Sequence, residues 1–299
     1  MIKTKFIYGT DQGVNPEILK YILNNKILIH TSHDYKGYKY LKKFTKFRKK
    51  KTKFILKFKF KNFKEFKKLY KKYKKDLNLK SIYAVQICRN PIPKMSDIDL
   101  KLLFDFIRKE KKGGGIKKFY YEIFWQYSSD IFKMFDNDLI DGFVFCYNPI
   151  EREIDKKLFN KLIDSSKDII ALRTFSGFKI DYNNKIFINK SYIFYLFTKF
   201  YIYLICLLFK KTYFEICKIF VVYNVKKISS VFTTSKFNNF KRVFEKTQKT
   251  KNIKFLIMFI NIYHKICWSY FGSNSVSSRD FKKPLFVKIE NKLKNFITF

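Results

Sequence analysis

Acidic residues, histidines and paired cysteines are scarce in this chain. Among 299 residues, 24 Asp and Glu stand against 64 Lys and Arg, so the formal net charge is +40. The five cysteines are odd in number and form no C-x-x-C pair, which argues against a disulfide scaffold and suits a reducing compartment. His30, His33 and Cys88 would give a zinc site one ligand short, so we expect no metal centre.

The excess of positive charge has two interpretations. It could serve nucleic acid or an anionic membrane surface, and residues 46–75 do interleave basic and aromatic side chains. However, Lys, Asn, Ile, Phe and Tyr are enriched together, as AT-rich coding would produce, and the lysines are spread along most of the chain. We therefore interpret the charge as compositional and expect neither nucleic acid nor a membrane as a partner.

One stretch, residues 191–209, is apolar for long enough to raise the question of a membrane span. Thr198 and Lys199 lie at its middle, where a lysine costs about 2.5–3.5 kcal/mol on insertion, so the pattern favours a buried amphipathic helix. The first residues lack the apolar core of a signal peptide. We expect a cytoplasmic protein.

Short runs rich in β-branched and aromatic residues alternate with helical patterns along the chain. Several runs are almost continuously apolar, as strands covered on both faces are. Eight such units predict an α/β fold, a (β/α)8 TIM barrel over residues 1–250, with C-terminal covering helices in 251–299 packed on the same domain. The predicted strands are 5–9, 26–30, 53–60, 82–88, 116–124, 140–147, 168–173 and 228–233.

The predicted helices lie between those strands. Asn15 and Pro16 fit the start of a helix, and Thr212 with Glu215 fits a capping box. The glycines at 113–115 end a helix and form no phosphate loop. The predicted helices are 15–25, 38–50, 62–77, 96–115, 128–135, 151–163, 212–223 and 237–247.

Six segments resemble, in order, the strand-associated motifs of the aldo-keto reductase superfamily. These are IHTSHDYKGY (29–38), DLNLKSIYAVQICRNP (76–91), GGIKKFYYEIF (114–124), FCYNPIERE (145–153), DIIALRTFSGF (168–178) and ISSVFTTSKFNNFKRVFE (228–245). The chain therefore resembles a divergent member of that superfamily. The resemblance implies a TIM barrel that uses NADP or NAD to reduce an aldehyde or ketone.

The same resemblance implies a catalytic tetrad of Tyr, Lys, Asp and His. Tyr35 matches the tyrosine acid, and the lysine is retained as Lys57 or Lys59. His30 stands at the aspartate position and Cys88 at the histidine position, so half of the tetrad is substituted. A neutral imidazole gives a lysine no countercharge, and a thiol orients a carbonyl poorly.

The cofactor positions are only partly retained. The resemblance assigns to cofactor binding the residues Glu122, Tyr147, Arg173, Thr174, Phe175, Thr233, Ser235, Lys236 and Arg242. Glu122 replaces a residue expected to hold the nicotinamide carboxamide, whereas the last four could bind a nucleotide phosphate. Two functions therefore stay open: a reductase acting on a small carbonyl substrate, or a non-catalytic barrel that binds a metabolite or a partner. The sequence leaves the oligomeric state undetermined.

Overall fold

The computed structural model describes residues 6–45, 52–88, 95–123, 134–152, 154, 156–175, 192–223, 227–245 and 252–270. Eight parallel strands form a closed ring, since β5 pairs with β6 at the point where an open sheet would have two edges. A ninth strand, β7, pairs antiparallel with the end of β6. The strands are β1 Phe6–Gly9, β2 Ile29–Ser32, β3 Phe54–Phe58, β4 Ile82–Ile87, β5 Ile116–Glu122, β6 Gly142–Asn148, β7 Glu151–Arg152, β8 Asp168–Leu172 and β9 Ile228–Thr233.

Helices connect the strands and cover the barrel. Asn15, Asn62 and Ser96 each accept a hydrogen bond from a first-turn backbone N–H, which fixes where three of the helices begin. The helices are α1 Pro16–Asn24, α2 Tyr38–Thr45, α3 Phe63–Asp76, α4 Asp97–Lys112, α5 Lys156–Asp164, α6 Tyr192–Phe209, α7 Tyr213–Tyr223, α8 Phe237–Phe244 and α9 Ile253–Tyr270. This architecture confirms the predicted (β/α)8 barrel.

The barrel separates two apolar clusters. Inside the ring, one residue from each barrel strand or its edge contributes to a small cluster: Ile7, Leu28, Ile55, Ala84, Tyr120, Val144, Ile170 and Val231. The larger cluster lies between the strands and the helices. Because successive strand residues point to opposite faces, each strand residue two positions beyond the inner cluster also faces the interior. The carboxyl ends of the strands therefore place His30, Lys57, Gln86 and Glu122 together.

Two segments differ from their sequence-based prediction. The predicted helix 151–163 begins as strand β7, because Glu151 and Arg152 pair with Asn148 and Tyr147, and helix α5 starts only at Lys156. Residues 46–50 of the second predicted helix and most of the predicted helix 128–135 lie outside the described residues.

The apolar stretch 191–209 forms helix α6, and it packs on the C-terminal helix α9. Thr198, at its middle, is buried and shares a hydrogen bond with Tyr263 of α9 (2.8 Å between the hydroxyl oxygens). His264 of α9 bonds the backbone oxygen of Asn148 at the end of β6 (3.0 Å). Throughout the described ranges, each helix is too short or too polar for a membrane crossing. Residues 271–299 of the predicted extension lie outside the described residues.

Candidate functional site

A tight turn after β2 carries Tyr35, and backbone hydrogen bonds and close packing hold that turn. The backbone N–H of Tyr35 donates to the Ser32 oxygen (3.0 Å), and that of Gly37 donates to the Thr10 oxygen (3.0 Å). A side chain at Gly37 would collide with Thr10 and Val14, so the turn approaches the β1–α1 loop too closely for any residue larger than glycine. The position of the Tyr35 phenol is therefore set by packing of its own turn.

Tyr73 of α3 ties that turn to the neighbouring strand. Its hydroxyl accepts a hydrogen bond from the His33 N–H (2.8 Å) and donates one to the backbone oxygen of Lys57 (2.8 Å). The turn that carries Tyr35 and the strand that carries Lys57 therefore share one buried anchor. Among the described residues, the Tyr35 hydroxyl itself has no hydrogen-bond partner, which leaves its proton available.

Glu122 is the centre of a buried polar network that spans four strands. One carboxylate oxygen accepts from the Lys57 ammonium (2.8 Å), and the other accepts from the Gln86 amide nitrogen (2.9 Å) and the Cys88 thiol (3.2 Å). The Gln86 oxygen faces His30 Nε2 (2.9 Å). Because this oxygen can only accept, His30 carries its proton on Nε2 and its Nδ1 is the unprotonated nitrogen.

Burial and the ion pair shape the protonation states of this network. Burial lowers the pKa of Lys57, but the Glu122 carboxylate more than reverses this, so the pKa lies above its ordinary value. Burial raises the pKa of Glu122, and the Lys57 ammonium outweighs burial, so that pKa is lowered. Burial and the nearby Lys57 charge lower the pKa of His30 to about 4. At neutral pH the lysine and the carboxylate are therefore charged and the imidazole is neutral.

Tyr35 and Cys88 both stay protonated at neutral pH. Burial raises the pKa of Tyr35, and the Lys57 charge offsets part of that rise. Burial raises the pKa of Cys88, and the Glu122 carboxylate raises it further. The phenol is thus a neutral acid next to a cation, and the thiol serves as a hydrogen-bond donor to Glu122.

The structure separates the two lysines that sequence reasoning left open. Lys57 is largely buried in the network, with a side chain that is 11% exposed. Lys59 lies just past the end of β3, forms an ion pair with Asp34, and is 48% exposed. His33 also lies outside the network, since its ring faces Tyr73 (Nδ1 to hydroxyl oxygen 3.3 Å).

The cofactor candidates on β5 and β6 have other contacts. Glu122 is 3% exposed and its two carboxylate oxygens already accept three hydrogen bonds. The Tyr147 ring points to the helix side, where it packs against Phe159 of α5 (centroids 4.9 Å apart) and Phe220 of α7 (5.0 Å). Neither side chain has a polar group free to receive a carboxamide at the barrel mouth.

The three candidates after β8 form a packed corner. Arg173 adopts a left-handed backbone conformation (φ 58°) and donates to the buried Glu151 carboxylate (3.1 Å). The Thr174 hydroxyl donates to the backbone oxygen of Val231 (3.0 Å). Phe175 stacks on Phe214 (centroids 4.8 Å apart). This corner joins β8 to β9 and to the helical layer.

The last four candidates lie at or near the surface, three of them from the end of β9 to the start of α8 and the fourth, Arg242, in the last turn of α8. Thr233 is half-buried, and Ser235, Lys236 and Arg242 are exposed. Lys236 occupies the N-cap position of α8 and makes no side-chain capping hydrogen bond. The Arg242 guanidinium lies over the Phe214 ring (4.7 Å to the centroid). Lys236 presents positive charge next to a helix N-terminus, an arrangement suited to an anion, whereas Arg242 lies in the last turn of the same helix.

Sequence reasoning missed Gln86 and gave Glu122 a different role. The signal was present in the strands: Gln86 follows Ala84 by two residues in an apolar run, and Glu122 follows Tyr120 by two residues. Ala84 and Tyr120 face the barrel interior, so both polar residues had to face it as well.

Comparison with known proteins supports the fold, and the similar solved structures have low sequence identity to this chain. No protein-family model and no curated protein matches the chain. Among solved structures, an aldo/keto reductase of Brucella melitensis has a TM-score of 0.62 at 12% identity, over 87% of this chain and 93% of that one.

Two aldo-keto reductases of the silkworm Bombyx mori are similar as well. One, solved in complex with NADP, has a TM-score of 0.61 at 10% identity, over 86% of this chain and 88% of that one. The other has a TM-score of 0.58 at 14% identity, over 85% and 83%. The chain thus has the fold of the aldo-keto reductases, which confirms the resemblance at the level of the fold.

Proposed function

We propose that this chain is an oxidoreductase of the aldo-keto reductase type, which reduces an aldehyde or ketone with NADPH or NADH. The observation that carries the proposal is the set Tyr35, Lys57 and Glu122: a neutral phenol, the cation whose charge acts on it, and the buried carboxylate that holds this cation (Lys57 Nζ to Glu122 Oε1, 2.8 Å). Glu122 supplies from β5 the countercharge that the resemblance expects at position 30.

The described residues fit one end of such a cofactor better than the other. Ser235 and Lys236, at the start of α8, suit its phosphates. Arg242 adds an exposed positive charge in the last turn of the same helix. The carboxamide end has less support, because Glu122 and Asn148 at the rim of β5 and β6 are already hydrogen-bonded within the protein. A bound reduced nicotinamide would supply a hydride to the carbonyl carbon.

In this mechanism, Tyr35 gives its hydroxyl proton to the oxygen of the substrate carbonyl as negative charge develops there. The Lys57 ammonium stabilises the tyrosinate that remains. Glu122 keeps this ammonium charged and fixed, and Gln86 and Cys88 in turn fix Glu122. Gln86 also orients the neutral imidazole of His30, whose ring lies 5.9 Å from the ring of Tyr35.

The test is carbonyl reduction by the purified protein with NADPH and a panel of aldehydes and ketones, followed by the loss of NADPH absorbance. We expect Tyr35→Phe to lower kcat/KM by about 10²–10⁴-fold, since it removes only the acid. Tyr40→Phe is the matched control, because Tyr40 is 59% exposed on α2. Undiminished turnover by Tyr35→Phe would contradict the role of this phenol.

A second candidate function is a non-catalytic barrel that binds a nucleotide or another phosphate-bearing metabolite. Two observations favour it. Glu122 and Asn148, at the rim of β5 and β6, are already hydrogen-bonded within the protein, and Lys236 lies at the start of α8. NADPH that quenches the protein's fluorescence, with no turnover of any carbonyl compound, would support this candidate. A flat titration at millimolar NADPH and NADH would argue against the reductase and favour a non-catalytic barrel that binds another metabolite.

A further inference from the structure

Two helices of the outer layer expose rows of large apolar side chains. Leu196, Phe200, Tyr203 and Leu207 of α6 are between 45% and 65% exposed, and their spacing puts them on one face of the helix. Phe255, Met258 and Ile262 of α9 are 46–49% exposed and also share one face. We call these seven side chains the α6–α9 face.

The two rows lie side by side because the helices pack antiparallel. Phe197 stacks on Tyr263 (centroids 5.6 Å apart), Tyr201 stacks on both Tyr263 (3.8 Å) and Phe259 (5.7 Å), and further along Phe209 contacts Phe255 (5.8 Å). This register places Phe200 level with Ile262 and Leu207 level with Phe255. Two separate stripes therefore combine into one apolar surface.

The charges around this surface are of one sign. Neither Tyr192–Phe209 nor Ile253–Tyr270 contains an aspartate or a glutamate. Lys199, Lys254 and Lys265 are exposed on the same two helices, at positions flanking the apolar rows. The complementary partner is therefore an anionic surface with apolar material beneath it. A second copy of the chain would bring its own charge of +40 to the contact and be repelled.

We propose that the α6–α9 face binds the surface of an anionic lipid bilayer, with both helices lying in the headgroup plane. Helices that combine lysines with phenylalanine and leucine on an outward face insert their apolar side chains at the headgroup boundary. Lysines near an anionic leaflet add electrostatic attraction. This binding differs from the membrane crossing excluded above, and it departs from the sequence-based expectation that no membrane is a partner.

The test compares co-sedimentation of the full chain with vesicles of phosphatidylcholine alone and with vesicles that also contain phosphatidylserine. We expect binding to the anionic vesicles only. Replacing Phe200, Leu207 and Phe255 together by serine should weaken this binding about tenfold or more, since each side chain loses its apolar contact with lipid. The matched control is the double change Ile98→Ser and Leu102→Ser on α4, where the side chains are 74% and 45% exposed; binding should be unaffected.

A second set of variants separates a specific face from the overall charge. Lys199, Lys254 and Lys265 are changed together to glutamine, and three exposed lysines of α3 (Lys67, Lys68 and Lys71) are changed in the same way as a control of equal charge. We expect the first set to weaken vesicle binding several-fold more than the second. Circular dichroism and the thermal midpoint identify any variant that fails to fold.

Three results would overturn the proposal. One is equal vesicle affinity for the wild type and the triple serine variant. Another is an equal loss from the two lysine sets, which would show that net charge alone accounts for binding. The third is a dimer in analytical ultracentrifugation that the serine variant dissociates, which would assign the α6–α9 face to a second copy of this chain.

Discussion

The two halves of the barrel rim differ in how their polar side chains are used. On β2 to β5, charged and polar groups converge on one buried carboxylate, and a phenol with an uncommitted proton lies beside them. On β6 to β9, the polar groups bond one another and the backbone: Asn148 with Glu151, Arg173 with Glu151, and Thr174 with Val231. The first half holds the groups that the proposed reaction would use, and the second half stabilises the connection between strands and helices.

The largest effect is expected at the centre of the first half. Glu122→Ala leaves the Lys57 ammonium buried without its partner, and we expect it to lower the free energy of unfolding by about 3–5 kcal/mol in urea denaturation. The control is the double change Lys57→Met with Glu122→Leu, which removes both charges and should recover most of the loss. A cost near zero for the single change would show that Glu122 is not the countercharge.

Acid should act on the same half through His30. Its pKa in the folded protein is about 4, whereas the ordinary value is 6.5, so the unfolded chain takes up the proton first. The free energy of unfolding should therefore fall as the pH drops from 6.5 to about 4, by up to about 3 kcal/mol. Burial also lowers the pKa of His264 and that of His33, so both contribute a slope of the same sign.

Because all three histidines contribute, the measurement compares urea unfolding of the wild type and of His30→Gln across this pH range. We expect a shallower slope for the variant, since glutamine does not titrate. His33→Gln is the comparison: burial lowers the pKa of this half-buried histidine as well, and we expect its replacement to flatten the slope less than that of the fully buried His30. An identical slope in wild type and His30→Gln would mean that His30 keeps the same pKa in the unfolded chain.

A change in the second half should affect stability without this pH signature. Asn148 is fully buried, donates to Glu151 and the Arg173 oxygen, and accepts from the Ile150 N–H. We expect Asn148→Ala to cost about 1–3 kcal/mol, because it leaves buried groups unpaired. The acid slope should match that of the wild type. A changed slope would show that the two halves of the rim are coupled.

The smallest effect is expected for Lys59, the second of the two lysines that sequence reasoning left open. Lys59 and Asp34 form an ion pair at the surface, where solvent and salt screen it. We expect Lys59→Gln to change the free energy of unfolding by about 1 kcal/mol or less, and raised salt to abolish the difference. Lys57→Gln should cost clearly more in the same assay. Equal costs would mean that burial does not distinguish the two lysines.

Hydrophobic pattern was sufficient to predict the barrel. All eight barrel strands lie within a few residues of their predicted bounds, because an apolar run such as IIAL or VFCY is buried on both faces only in a covered parallel sheet. The start of α5 was the exception. Glu151 and Arg152 look helical in sequence, but they complete a pairing with β6 that local propensity does not reveal.

The site was less accessible to sequence reasoning than the fold. Tyr35 and Lys57 could be found because they lie close to the family's motif. Glu122 was assigned by its position in that motif, to a cofactor contact, whereas its partners come from the neighbouring strand β4 and from β3, one strand further around the ring. Contacts between non-consecutive strands depend on barrel closure and stagger, which a single strand's sequence does not contain.

The closed ring has a consequence for how such proteins are recognised. Every strand of the ring ends at one small common volume, so a charge needed there can be supplied from any of the strands around it. A search that requires each residue type at a fixed sequence position would miss a carboxylate that another strand supplies. Searching instead for an anion that reaches the lysine in space would retain it.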